Sequence, residues 1–353
     1  MSIACKPKKI KALEEISDVV WLQTSFIGDI ILTTSAISAL AKAAPWIRQH
    51  MITTSVGAAA LAEHPLLSSI HEFKKRSGLF TPFTAVKKSI KALNLRNTVT
   101  LQPHKSLRST LLAKFLGFPI VTYEETSLSL LANVKIPRIA VFHEANRISL
   151  LLEGIGVTRN TLLNNPLTLQ AKPLPGPAGA LAESTFNWIA IAPGSVWPTK
   201  RWPVAKFIQL TKKLLERQNT AVILLGGRDD IDTCNLIEGS CQLTTSTAAT
   251  RLLNLAGKTS LQDLLGIYPK IKLLVSNDSS PIHYASAFQV PTIAIFGSTV
   301  PAMGFSPLAV GSKIAEIDLS CRPCGTHGHK RCPLGHFRCM EDISVDHVLK
   351  LID

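Results

Sequence analysis

The stretch "IKLLVSNDSSPIHYASAFQVPTIAIFGS", residues 271–298, decides the fold. Its first part, "IKLLVSND" (271–278), is a short apolar run that ends on two polar residues, like a buried strand at its carboxyl end. "SSPIHYASAF" (279–288) reads as a helix with Pro281 in the first turn, where a missing N–H is harmless. "VPTIAIFGS" (290–298) is a second buried strand. Strand, helix and strand in close succession make a β-α-β unit, and that unit implies parallel strands.

The same alternation continues upstream. "NWIAIAPGS" (187–195) is a strand ending in a Gly-Ser turn, and "WPVAKFIQLTKKLLERQ" (202–218) is an amphipathic helix. "TAVILLGG" (220–227) is a strand, "DDIDTCNLI" opens the next helix, and "TSLQDLLGIY" (259–268) has a Ser-x-x-Asp start. In the first half "DVVWLQ" (18–23), "NTVTLQP" (97–103) and "PIVTYEE" (119–125) are strand-like. Residues 29–44 are helical, with Ile30, Ile37, Leu40, Ala41 and Ala44 on one side. "SLRSTLLAKFLG" (106–117) is a helix ended by Gly117, and "RIAVFHEANRISLLLEGIGV" (138–157) reads as one helix. Between the halves, "AKPLPGPAGALAES" (171–184) has no apolar period and reads as a linker. The expected organisation is domain 1–170, linker 171–184 and domain 185–353, both domains α/β with doubly wound parallel sheets.

A length of 353 residues suits two domains. Hydrophobic residues make up 46% and charged ones 18%, which excludes a disordered chain. No apolar run approaches the roughly 18 residues of a spanning helix, and "MSIACKPKKIKALEE" lacks a signal-peptide core. A cytoplasmic protein is expected. The net charge of +14 favours an anionic partner: nucleic acid, acidic lipid or a phosphorylated substrate. Basic clusters at Lys74–Arg76, Lys87–Lys91 and Lys105–Arg108 suggest one basic face on the first half. No aromatic-rich RNA motif accompanies them.

In open parallel sheets ligands bind beyond the carboxyl ends of the strands. Polar or glycine turns fall there at Gly28-Asp29, Gly194-Ser195, Gly226-Gly227, Asn277-Asp278 and Gly297-Ser298. None is a G-x-G-x-x-G fingerprint or a Walker A loop, so hydride transfer and P-loop chemistry lose ground. Ser279-Ser280-Pro281 opens a helix whose free N–H groups could hold a diphosphate; Asp278 or Ser279 could equally be an ordinary cap. His283, one turn in, is either part of that site or structural. Lys200 is a solvated lysine or a mobile loop cation for a leaving diphosphate. Asp29 is a helix cap or a base.

"FIGDIILTT", "APGSVWPTKRWP", "LLGG", "VSNDSSPIHYASAFQVPTIAIFGST" and "CRPC…CPLGHFRCM" resemble the ADP-heptose:lipopolysaccharide heptosyltransferases of glycosyltransferase family 9, and the cysteine-rich ending looks most like heptosyltransferase II. The resemblance implies a GT-B fold: two Rossmann-like domains facing across a cleft, with a last helix that often packs back on the first domain. It implies inverting transfer of heptose from ADP-L-glycero-D-manno-heptose to a core sugar of Kdo-lipid A, here the heptose I of the inner core. The expected location is the cytoplasmic face of the inner membrane, peripherally, with no nucleic acid bound. By the same resemblance Asp29 is the base and Lys200 the lysine at the donor phosphates. Asp278, Ser279, Ser280 and His283 lie around the diphosphate, Ser195 is a phosphate-side hydroxyl, and Asp230 is the acid at the ribose, with Asp229 its competitor. Ser280-Pro281 depart from the family's usual glycine at this point, and Pro281 removes one N–H.

Four of seven cysteines crowd into 321–339. Cys321, Cys324, Cys332 and Cys339 have knuckle-like spacing, suited to structural zinc or iron, with His327, His329 and His336 as alternative ligands. Reduced thiols and a disulfide are the other readings. More distant autotransporter relatives hold a metal with cysteines here, whereas GT-B transfer commonly needs no metal, so no catalytic cofactor is expected. The alternatives are transfer of a first or third heptose, a protein acceptor, a basic nucleic-acid-binding protein with a metal knuckle, and a nucleotide-sugar epimerase.

Overall fold

The computed structural model describes residues 10–75, 81–93, 95–171, 179, 181, 184–241 and 251–353. Most of the 171–184 stretch therefore lies outside the described residues. The chain divides into two compact units, Met1–Gln170 and Ala171–Asp353.

Unit 1 runs β1 (Asp18–Gln23), α1 (Ile27–Ala43), β2 (Arg48–Thr53), α2 (Ser55–Leu61), β3 (Ser69–Glu72), α3 (Thr81–Ala92), β4 (Thr98–Gln102), α4 (Leu107–Leu116), β5 (Ile120–Tyr123), β6 (Val134–Ile136) and α5 (Glu144–Ser149). Its strands pair in parallel in the order β3-β2-β1-β4-β5-β6. Every residue of β1 is buried, since both sheet faces are covered, which is why "DVVWLQ" shows no alternation. On one face α3 and α4 pack Val86, Ile90, Leu112 and Ala113 against Val20, Leu22 and Ile52.

Unit 2 runs β7 (Asn187–Ala192), α6 (Val204–Glu216), β8 (Thr220–Leu224), α7 (Ile231–Ser240), β9 (Leu252–Asn254), α8 (Leu261–Ile267), β10 (Leu273–Asn277), α9 (Pro281–Ala287), β11 (Thr292–Phe296), β12 (Lys313–Glu316), α10 (Arg338–Glu341) and α11 (Val345–Ile352). The order β12-β11-β10-β7-β8-β9 is all parallel. Counted from each unit's first strand, both sheets have the Rossmann order 3-2-1-4-5-6. Ser260 and Asp263 start α8 with a reciprocal capping box. The last helix, α11, buries Val345 and Val348 against α6, β11 and β12 of its own unit. Among the described residues no helix is long and apolar enough to cross a membrane.

One sequence reading is corrected. Residues 138–157 are not one helix: α5 starts only at Glu144, capped by the His143 side chain, and tightens into a 3-10 turn at Leu150–Ile155. Arg147 explains the late start. Its guanidinium donates back to the carbonyls of Ile139 (3.1 Å) and Ala140, which fixes the preceding stretch as a loop.

Candidate functional site

In a sheet of this order the crevice forms where the strand order reverses. In unit 1 that point lies between β1 and β4. The chain leaves β1 through Thr24-Ser25-Phe26 and enters α1. The cap position is Phe26, which is 62% exposed and makes no side-chain cap bond. Asp29 is thus the third residue of the helix, not its cap. Burial pushes its carboxyl up to about 6, and the charge of Glu144 pushes the same way; the Ser25 hydroxyl, Arg138 and Lys105 hold it back.

Those neighbours form a chain of alternating charge. Lys105 Nζ lies 2.6 Å from Glu125 Oε1, and Arg138 Nε 3.8 Å from the same oxygen. Arg138 also pairs with Glu144, whose Oε2 lies 3.0 Å from Arg147 Nη1. Lys105 follows β4, and Glu144 opens α5, which packs along α1. Beside them His104 Nδ1 lies 3.0 Å from Thr24 Oγ1 and 2.9 Å from Ser109 Oγ. Burial, then the charge of Lys75, lowers His104 to about 4, so it stays neutral at physiological pH.

In unit 2 the order reverses between β7 and β10. Buried Asn277 joins the two strand exits: its Nδ2 donates to Pro193 O (2.7 Å), and its Oδ1 accepts from Trp202 N (3.0 Å). The next residue, Asp278, carries the main polar contact. Its Oδ2 lies 2.5 Å from Lys200 Nζ and accepts from Thr299 Oγ1 at 2.6 Å. The two charged side chains are only 13% and 8% exposed. Lys200 is therefore a held ion pair rather than a loose loop cation. Ser279 Oγ donates to Gly194 O (3.3 Å) and to Asn277 O (3.3 Å), so neither Asp278 nor Ser279 caps α9.

Asp230 meets the same place from the β8 side. Its Oδ2 accepts from Gly227 N at 2.9 Å. A Cβ on Gly194 would stand 2.1 Å from its Oδ1, and one on Gly226 2.6 Å from its Cβ. Both glycines are needed for this approach. Asp229 stays exposed, so the fold turns Asp230 inward. Lys200, Asp278, Ser279 and Asp230 thus gather around the Gly194 turn. Ser195 belongs to that turn, but its hydroxyl accepts from Trp197 N (3.3 Å) and its carbonyl from Arg201 Nε (2.7 Å). Ser280 is the cap residue of α9 without a side-chain cap bond, and its carbonyl accepts from His283 N at 3.0 Å. The buried His283 ring lies 6.4 Å from Phe305.

Sequence reasoning missed the supports of this pair. Thr299 had a signal, a hydroxyl directly after the Gly297-Ser298 turn at the end of β11. The other support comes from the cysteine-rich segment. His329 N donates to Thr199 Oγ1 (2.7 Å), while His329 O accepts from Thr199 N (3.2 Å) and Oγ1 (3.1 Å). His327 stacks on Trp197, with ring centroids 6.2 Å apart and planes 5° apart. A Cβ on Gly328 would meet Trp197 Cβ at 2.4 Å and Lys200 Cγ at 3.1 Å. Residues 327–329 are a strap over the turn that presents Lys200.

The four cysteines of this segment lie near one another. Cys324 is pushed up by burial, then by Cys321 and Cys332. Cys339 is pushed to about 11 by burial, then by Cys324. Cys324 Sγ points at Cys321 O (3.2 Å), and Cys321 Sγ stands 3.8 Å from His336 Nε2. The six described cysteines are free thiols. Among the described residues no three His, Cys, Asp or Glu side chains are placed to hold a metal ion.

Two Rossmann-order sheets in one chain, each with polar residues at its reversal point, define an α/β two-domain protein with the fold of the GT-B heptosyltransferases. The model of glycosyltransferase family 9 (heptosyltransferase) matches residues 157–336, just over half the chain, and the chain belongs to that family. It is 28% identical over 166 residues to lipooligosaccharide heptosyltransferase 2 of Campylobacter jejuni, a match covering 46% of this chain and 50% of that protein. The chain thus spans about half the length of that relative. Lipopolysaccharide heptosyltransferase 1 of Pseudomonas aeruginosa is 25% identical over 334 residues, 87% of this chain and 85% of that one. The solved structure of E. coli ADP-heptose lps heptosyltransferase II has the same fold, with TM-score 0.76 at 21% identity over 95% of this chain and 97% of that one.

Proposed function

We propose that the protein is an inverting heptosyltransferase of lipopolysaccharide core synthesis. It moves L-glycero-D-manno-heptose from ADP-heptose to the heptose I of the inner core. Asp29 takes the proton of the acceptor hydroxyl as that oxygen attacks the anomeric carbon. A general base works best with a pKa close to the operating pH, and a carboxyl pushed up to about 6 at a helix start, capping nothing, is the observation that carries this role.

The bond to the diphosphate breaks as the new one forms, and negative charge grows on the leaving ADP. Lys200 meets that charge. Its pairing with Asp278 keeps the cation placed while no phosphate is present, and a diphosphate would take over part of it. Asp230 holds the ribose hydroxyls, and Ser195, Ser279, Ser280 and His283 lie around the phosphates. A fixed cation of this kind does the work that a divalent metal does elsewhere, so no metal is needed for transfer. The acceptor is a lipid, and the chain is proposed to work peripherally at the cytoplasmic face of the inner membrane.

The test is transfer from ADP-heptose to lipid A cores that already carry zero, one or two heptoses, read by mass, with wild type and Asp29→Asn. Addition only to the one-heptose core is expected. Addition to the bare core would make it a first-heptose enzyme, in line with its similarity to the Pseudomonas protein. ADP-heptose consumption without an acceptor would overturn the transferase reading in favour of an epimerase.

A further inference from the structure

The charge of the chain is unevenly divided. Unit 1 carries 20 of the 38 Lys and Arg residues but only 10 of the 24 Asp and Glu residues. Residues 73–123 hold ten basic residues and no acidic one. That stretch contains α3 and α4, which pack side by side.

Helix α4 has two apolar faces. Leu112, Ala113 and Leu116 are in the core. On the outer side Leu107, Leu111 and Phe115 are 51%, 43% and 37% exposed. Their spacing of four places them on one stripe. Exposed Arg108 and Lys114 of α4, with Lys87, Lys88 and Lys91 of α3, flank the stripe. The two helices present one continuous surface. The Phe83 and Phe115 rings are 5.9 Å apart, and Lys87 Nζ sits 4.4 Å from the centre of the Phe115 ring. Arg108 Nη1 bonds to Lys75 O at 3.1 Å, which brings the Lys74-Lys75 turn to the start of the stripe.

We propose that the α3–α4 face of unit 1 is a docking surface for an anionic lipid bilayer, with Leu107, Leu111 and Phe115 entering the headgroup boundary and the surrounding lysines and Arg108 meeting lipid phosphates. An apolar stripe bordered by cations is the pattern of a helix lying in a membrane interface. A second copy of the chain fits poorly, because two such positive faces repel. Nucleic acid would use the cations but leave the leucines without a partner. The inference rests on the reading that the acceptor is membrane-borne, and it names the surface that brings the enzyme to it.

The test uses the full chain and sedimentation with vesicles of phosphatidylcholine alone or mixed with phosphatidylglycerol, without donor or acceptor. Binding to the anionic vesicles only is expected. Each juxtamembrane lysine contributes about a fivefold factor, so Lys87→Gln/Lys88→Gln/Lys91→Gln should weaken binding on the order of a hundredfold. Leu111→Glu should weaken it too, while Lys212→Gln, an exposed change on unit 2, should not. Equal binding by all four proteins overturns the proposal, as does preference for a random oligonucleotide or formation of a stable dimer through this face. Transfer to a deacylated, water-soluble acceptor separates the two readings. If it is intact and vesicle binding is absent, the docking face is wrong; if vesicle binding holds and transfer is absent, the enzyme reading is wrong.

Discussion

The two units have the same strand order yet treat the charge at their reversal points in opposite ways. Unit 1 leaves the Asp29 carboxyl short of compensation, with Glu144 against it and its cations shared with other carboxylates. Unit 2 holds Lys200 against Asp278 and fixes that carboxylate with Thr299. On the proposed reading, one unit receives a proton and the other exchanges a counter-ion. The sharpest way to break this contrast is Asp29→Asn. Loss of a general base typically removes a factor of about a thousand, and transfer should fall by that much while ADP binding stays. The fold should gain. The folded pKa of Asp29 is about 6, against 3.8 for the free group. Its ionised form therefore favours the unfolded chain, a penalty full above pH 6 and absent below 3.8. Removing the charge should raise stability at neutral pH by about 1 kcal/mol after discounting for partial exposure. A wild-type transfer rate would leave Asp29 a purely structural residue, and a lowered Tm would contradict the charge penalty.

The counter-ion side can be broken next. Lys200→Ala should lower kcat/KM about a hundredfold, the usual scale for losing one fixed electrostatic donor. It also strands the buried Asp278, so stability should fall. Removing both partners of a buried pair is milder than removing one. Lys200→Ala/Asp278→Ala should therefore regain part of the lost Tm and none of the lost rate. If rate recovers with Tm, the pair is structural only.

A smaller effect is expected at the strap. Gly328→Ala forces a methyl into Trp197 and Lys200, and overpacking of this kind costs about 1–3 kcal/mol. Thermal unfolding reads that cost. Donor KM should rise in the same variant, because the turn carrying Lys200 must move. Unchanged KM with lowered Tm would make the strap a packing feature without influence on the site.

The two units were also unequally legible. Unit 2 is legible from β7 through β11, apart from the short edge strand β9, because its central strands are unbroken apolar runs and helices such as α8 have sharp caps; the edge strand β12 and helices α10 and α11 went unread. Much of unit 1 is not legible. Strand β2, "RQHMIT", looks like a loop because it carries Arg48, Gln49 and His50, yet five of its six residues are buried. Tertiary partners make this possible. Arg48 and His50 both reach Asp18 of β1 (2.8 and 3.1 Å), and His50 Nδ1 meets Ser69 of β3 (2.8 Å). From there Ser69 meets His71 (2.7 Å), and His71 meets Ser89 of α3 (2.9 Å). A polar ladder crosses the sheet, and no pattern along one strand reveals it. At the site, motif residues that end strands were legible. Glu144, Thr299 and the His327–His329 strap act through contacts distant in sequence, and only the fold brings them in.

Glu144 offers the finest adjustment of the contrast. Its carboxylate stands among Arg138 and Arg147 and adds to the upward push on Asp29. Glu144→Gln keeps the shape and removes that charge, so Arg138 and Lys105 act on Asp29 with less opposition. The Asp29 pKa should then fall below about 6. A base must be deprotonated to work, so kcat/KM rises with pH through that value, and the variant's acidic limb should move to lower pH. The plateau rate should change little, dropping slightly because a weaker base accepts the proton less well. Were Glu144 only a strut for α5, the variant would lose Tm with the acidic limb unmoved. A shifted limb at nearly constant plateau would tie the charge chain of unit 1 directly to its base.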